Sequence, residues 1–193
     1  MKYMKRTIVA FSIVAALMLA LIGCQKGNTP EQEAVLQLIS RSSGEVKGAF
    51  FTSFEKVDST TLSQEFDRRF ALFNSKINIE QRQVKDYEEK NMPKNAAKHL
   101  ESIKETKMIL EDLGLLREML EDSADSIIYT TYKFSCKGKF VDGSSFECKD
   151  MYVNITPDGE ACNMKSDDSY HSGMGSAIPG YLELFGKGTI SPE

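Results

Sequence analysis

His171 stands in a polar, glycine-rich run with Asp167, Asp168 and Ser172 close by. An imidazole beside carboxylates has the makings of a general base whose tautomer an Asp holds. Serine hydrolysis also needs a placed nucleophile, and the chain has no Gly-x-Ser-x-Gly elbow. An exposed loop histidine is the simpler reading, so no catalytic residue is assigned. Cys136, Cys148 and Cys162 are 12 and 14 residues apart with no Cys-x-x-Cys pair, and only His99 and His171 could join them. Zinc sites pair their ligands at short spacing. The spacing therefore predicts no metal and no cofactor.

The N-terminus carries a sharper signal. Lys2, Lys5 and Arg6 precede an uncharged, mostly apolar run from Thr7 to Ala20, then Leu21-Ile22-Gly23-Cys24. That order reads as a secretory signal ending at a small-residue cleavage site. The Leu-Ile-Gly-Cys ending resembles the lipobox of bacterial lipoproteins. The resemblance implies that Cys24 is diacylated, the chain is cut before it, and the new N-terminus is acylated. Membrane attachment follows, since each buried methylene adds about 0.8 kcal/mol. Gln25 follows the cysteine where an Asp would suggest inner-membrane retention. The resemblance thus points to the outer membrane, facing the periplasm. An uncleaved anchor over residues 7–23 is the rival reading, at the short end of a spanning helix.

Residues 1–23 are then signal, 24–29 lipidated terminus and tether, and 30–193 one domain of ordinary size. Removing the three positive charges of the signal from the formal −4 leaves −7 for the remainder. A net negative surface argues against nucleic acid, whose affinity rests on Lys and Arg at phosphates. Arg68-Arg69, flanked by Glu65 and Asp67, reads as a solvated helix face.

The elements predicted are helical over 30–122 and β-rich over 125–193, an α+β fold. Thr29 caps a helix begun by Pro30, and residues 30–56 read as helical with a break near Gly44, contributing Val46, Phe50, Phe51 and Phe54 to a core. Leu62, Phe66, Phe70, Phe73 and Ile77 step by four, four, three and four, one stripe of a helix, with Ser59, Thr60 and Thr61 as caps. Pro93 ends it. A second helix over about 94–121 places Leu100, Ile103, Leu110, Leu113, Leu116 and Leu120 on its apolar side. The short link predicts an antiparallel helix pair. From Ile127 the pattern turns to alternation, with Ile128, Tyr132, Phe134, Cys136 and Phe140 on one side. Gly143 and Asp158-Gly159 mark two hairpins of a three-stranded meander packed on the helices.

Cys136 and Cys148 flank the first hairpin and are candidates for a disulfide. A two-residue loop at Gly143-Ser144 would set Cys136 opposite Met151 and Cys148 on the other face. A three-residue loop or a bulge would restore a common face. Matching apolar faces favours the two-residue loop, and by the same logic Cys162 falls opposite Ile155. A Cys136–Cys148 bridge, another bridge and three free thiols all stay open.

Other patterns carry less. Ser53-Phe54-Glu55-Lys56 matches the Ser-x-x-Lys of penicillin-interacting enzymes, whose Ser-Asp-Asn and Lys-Thr-Gly companions are absent. Gly173-Met174-Gly175 lacks the strand and helix of a phosphate loop. Asp58-Ser59-Thr60, Asp122-Ser123-Ala124 and Asp125-Ser126-Ile127 resemble a bacterial O-glycosylation acceptor, and equally suit helix capping. The expected function is non-catalytic binding of an envelope protein or small ligand. Alternatives are a ligand cup lined by Tyr129, Tyr132, Tyr152 and Tyr170, and a hydrolase built on His171.

Overall fold

The computed structural model describes residues 27–167 and 169–185. The signal, Cys24 and Asp168 lie outside them. The architecture is α+β.

Helix α1 spans Pro30–Ser43. Its start follows from local chemistry. Thr29 Oγ1 accepts from Gln32 N at 3.3 Å, and Gln32 Oε1 accepts from Thr29 N at 3.0 Å. This reciprocal capping box satisfies two otherwise unpaired amides, with Pro30 in the first turn. The helix stops at Gly44.

The sequence expectation of helix up to residue 56 is overturned here. Val46–Thr61 is strand β1, antiparallel to β2 (Ile127–Phe140), and β3 (Ser145–Ile155) and β4 (Ala161–Lys165) continue the sheet in the order β1-β2-β3-β4. The meander therefore has four strands, not three. β1 is rich in Thr, Ser, Phe and Val, which lose less as strand than as helix. Its register against β2 slips after Val46, Phe51 and Lys56, leaving Lys47, Thr52 and Val57 as extra residues at five-residue intervals. Bulges bend and twist a strand and blunt its open edge.

Both hairpins use three-residue loops. Phe140 N donates to Ser144 O at 2.9 Å and Gly143 N to Phe140 O at 3.1 Å, with Gly143 at φ +88°. Thr156, Glu160 and Gly159 repeat the arrangement. The expected two-residue loop is therefore wrong by one residue. Cys136 lies opposite Cys148, not Met151, and Cys162 opposite Asn154, not Ile155. A bulge at Lys149-Asp150 then resets the ladder so that Phe134 faces Met151.

One sheet face packs on α1. Val35, Leu36 and Ile39 meet Phe51, Phe54, Phe134, Cys136, Val153 and Ile155 in one core. Helices α2 (Leu62–Glu89) and α3 (Pro93–Met119) form the expected antiparallel pair. They build separate cores, so the sheet's apolar face packs on α1 rather than on the pair. Leu62, Phe66, Phe73, Ile109, Leu113 and Leu116 close over a C-terminal strap bearing Ile178, Tyr181 and Phe185. Ile77, Val84, Ala96 and Ile103 fill the far end. Leu100, expected inside, is 51% exposed. The strap needs glycine at 175, because a Cβ there would lie 2.4 Å from the Tyr181 ring.

β1 runs straight into α2. Thr61 ends the strand and caps the helix, accepting from Gln64 N at 3.3 Å. The turn between α3 and β2 holds this junction, since Ser126 O and Ala124 O accept from Leu62 N and Ser63 N, both at 2.9 Å.

Candidate functional site

The second sheet face, where it meets α2 and the strap, is polar. Thr60, Tyr129, Thr131 and Asn154 are each fully buried there, and α2 contributes Glu65, fully buried, and Arg69 at 4% exposure. Arg68-Arg69 is therefore not the solvated face expected of it. Glu65 and Arg69, four residues apart, sit beside the Leu62–Phe66–Phe73 stripe and turn inward with it.

Glu65 is the hub. Its Oε1 accepts from Arg69 Nε at 2.8 Å and Nη2 at 2.6 Å. Its Oε2 accepts from Tyr129 Oη at 2.8 Å and lies 3.3 Å from Arg68 Nη1. Arg68 Nη1 also donates to Thr60 Oγ1 at 3.0 Å and Tyr129 Oη at 2.9 Å. Burial works against the Arg69 charge, yet the Glu65 carboxylate outweighs it and raises the guanidinium pKa. Burial, with Glu65 beside it, pushes the Tyr129 hydroxyl up, so the phenol keeps its proton.

His171 belongs to this cluster. Its Nδ1 lies 3.1 Å from Tyr129 Oη, and its backbone carbonyl accepts from Arg69 Nη2 at 3.2 Å. Since the Tyr129 proton is committed to Glu65, His171 Nδ1 is the donor. That leaves Nε2 as an acceptor, 4.0 Å from Asp58 Oδ2. Burial, then the charge of Arg68, lowers the imidazole pKa. The exposed loop histidine expected from sequence is instead held by its ring and backbone, with the side chain 26% exposed. Asp167 does not orient it, for that carboxylate accepts from Ser169 N at 2.9 Å and Ser169 Oγ at 2.5 Å. The cluster supplies a neutral imidazole with a fixed tautomer, and among the described residues no hydroxyl or thiol is bonded to its Nε2. Its evident work is to bind the strap. Asn154 Nδ2 and Asn163 Nδ2 add to this by donating to Tyr170 O at 2.5 and 2.7 Å.

The other sequence candidates fall apart in space. Ser53 pairs with Ser135 and Lys56 with Tyr132, on opposite sheet faces, so the serine and lysine never meet. Tyr132 stacks on Phe54 at 4.9 Å on the α1 side, while Tyr152 stacks on Tyr170 at 4.9 Å on the polar side. The four tyrosines do not line one cup. A shallow groove of about 830 Å³ lies elsewhere, lined by Lys47, Phe50, Lys137, Lys139, Phe146 and Glu147. Met174 of Gly173-Met174-Gly175 is buried. Ser59 Oγ shares a hydrogen bond with Thr130 Oγ1 at 3.2 Å, whereas Ser123 and Ser126 are exposed. Among the described residues no three His, Cys, Asp or Glu side chains gather as a metal site, and no helix is long and apolar enough to cross a membrane. Cys136, Cys148 and Cys162 are unbridged in this structure.

No family model, curated protein or solved structure matches the chain.

Sequence reading missed Glu65, Arg69, Tyr129 and Asp58 as members of one cluster. The available signal was an i, i+4 Glu–Arg pair flanking an apolar stripe. Removing one partner of a buried pair strands the other charge, so Glu65→Ala should cost about 3–5 kcal/mol in urea unfolding. Replacing the pair together, Glu65→Leu with Arg69→Met, should cost less than the single change. His171 should titrate by NMR below about 6.5, the ordinary histidine value. Its folded pKa is lowered, so the unfolded chain binds the proton first as pH falls. The stabilisation is present above about 6.5 and drains below it. Wild type should therefore lose more stability between pH 7.5 and 5.5 than His171→Gln; equal losses would contradict the assignment.

Proposed function

We propose that the protein is a lipid-anchored lipoprotein of the bacterial envelope that works by binding a partner rather than by catalysis. The observation that carries the anchor is Leu21-Ile22-Gly23-Cys24 behind a basic start and an apolar run. The body fits an anchor at Cys24. Capped helix α1 begins at Pro30, and the five residues Gln25–Thr29 span at most about 18 Å. The folded domain would ride close to the bilayer on the periplasmic side of the outer membrane.

The binding role draws on α3. Its inner side carries Ile103, Ile109, Leu113 and Leu116, yet Met108, Leu115 and Met119 on the other side are 56%, 61% and 75% exposed. A helix apolar on both sides expects a second neighbour. The charge along it is polarised. Lys94, Lys98, Lys104 and Lys107 outnumber Glu101 and Glu105 in the first half, and Glu111, Asp112 and Glu118 outnumber Arg117 in the second. The occupant that fits is an amphipathic helix of a partner protein with the reverse charge order along α3. In this reading the Glu65–His171 cluster is structural.

Intact mass of protein purified from its native membrane tests the anchor. Expected is residues 24–193 plus acyl chains, with Cys24→Ala unprocessed. A full-length mass from Met1 without acylation would overturn it. A photoreactive side chain at position 115 tests the binding surface in the same membrane. Expected is a cross-link to one amphipathic helical segment, lost when Met108 and Met119 are changed to Glu. Adducts to lipid alone, or none, would overturn the protein partner.

A further inference from the structure

The three-residue loop at Val141-Asp142-Gly143 and the bulge at Lys149-Asp150 have one joint effect. Between them the β2–β3 ladder is shifted by one residue, and that shift sets Cys136 directly opposite Cys148. Without it Cys136 would face Lys149. The bulge is built in rather than loose, since Asp150 sits at φ +50° and its amide donates to Ser135 Oγ at 3.0 Å. Directly opposed residues in an antiparallel pair have Cα atoms about 4.5–5.5 Å apart, inside the span a disulfide bridges. Both side chains point to the α1 face, where both join its core.

We propose that Cys136 and Cys148 are joined as a cross-strand disulfide that staples β2 to β3 beneath α1, while Cys162 stays a thiol. The two sulfurs divide the work of oxidation. Cys136 is fully buried, and Cys148 is partly exposed. The two thiols face each other across the strands, and their interaction lowers the pKa of the half-exposed Cys148 while raising that of buried Cys136. Cys148 is thus the attacking thiolate. It displaces one thiolate from a disulfide oxidant, either oxidised glutathione or an oxidase's active-site disulfide, forming a mixed disulfide. Cys136 then gives up its proton and attacks the Cys148 sulfur, and the second thiolate leaves. Two electrons pass from the cysteine pair to the oxidant, which departs as two thiols. Cys162 is excluded by position. It lies on β4 against Asn154, on the opposite sheet face and six residues along β3 from Cys148, about 20 Å away. Burial, and the carboxylates of Glu160 and Asp158, push its thiol up to about 11.

The register stands whether or not the chain is exported, so the test does not depend on the anchor. Full-length Cys24→Ser protein in detergent, with three thiols remaining, is reduced, desalted and treated with oxidised glutathione. Expected are an intact mass two hydrogens below the reduced chain, a single alkylatable thiol at Cys162, and one linked peptide pair containing Cys136 and Cys148. Cys162→Ser should keep the linkage and Cys148→Ser should lose it. Reduction should lower the urea midpoint of the parent chain and leave that of Cys148→Ser unchanged. Three alkylatable thiols after oxidation, glutathione retained on Cys148, or a bridge to Cys162 would each overturn the proposal.

Discussion

A fully buried carboxylate needs its charge and its lone pairs answered, and Glu65 meets both needs at one point. Arg69 comes from the next turn of the same helix, Tyr129 from β2, and Arg68 carries the network on to Thr60 of β1. The strap enters through His171, by its carbonyl to Arg69 and its ring to Tyr129. Two apolar cores, one under the sheet and one between the long helices, meet at this polar joint. Neither core by itself dictates how it sits on the other. The hydrogen bonds around Glu65 do, because they are directional where hydrophobic contact is not.

The sheet bends to make that joint possible. On β1 the residues facing α1 are Val46, Ala49, Phe51 and Phe54, spaced by three, two and three. That spacing matches neither the strand period of two nor the helix period of 3.6, and it exists because every fifth residue bulges out. The other irregular points follow the same logic. Asp150 and Asn163, both left-handed, each reset the ladder of their strand. Asn163 then uses its side-chain amide to hold the strap.

α3 shows what a helix looks like when only one of its apolar sides is used. Leu113 is fully buried, while Leu115, two residues on, is more than half exposed. Summed over the helix, apolar residues point nearly all round, so periodicity alone cannot rank the faces. Packing against α2 and the strap ranks them, and it leaves Met108, Leu115 and Met119 as an exposed apolar stripe.

The sequence by itself determined the elements whose causes are local. The caps at Thr29 and Thr61, the helix end before Pro93 and the Leu62–Ile77 stripe depend on residues close along the chain, and the short link between the long helices sets their antiparallel pairing. So did the α+β class and the existence of both hairpins. The tertiary structure decided what depends on partners far along the chain. β1 is a strand because β2, some 80 residues later, pairs with it. Arg69 is buried because Glu65 beside it on α2, the His171 carbonyl and the Tyr181 ring converge on it, the last two from more than a hundred residues away. Cys136 meets Cys148 because a loop and a bulge together move the register by one residue, and a side-chain period of two makes one residue the difference between sharing a face and opposing it.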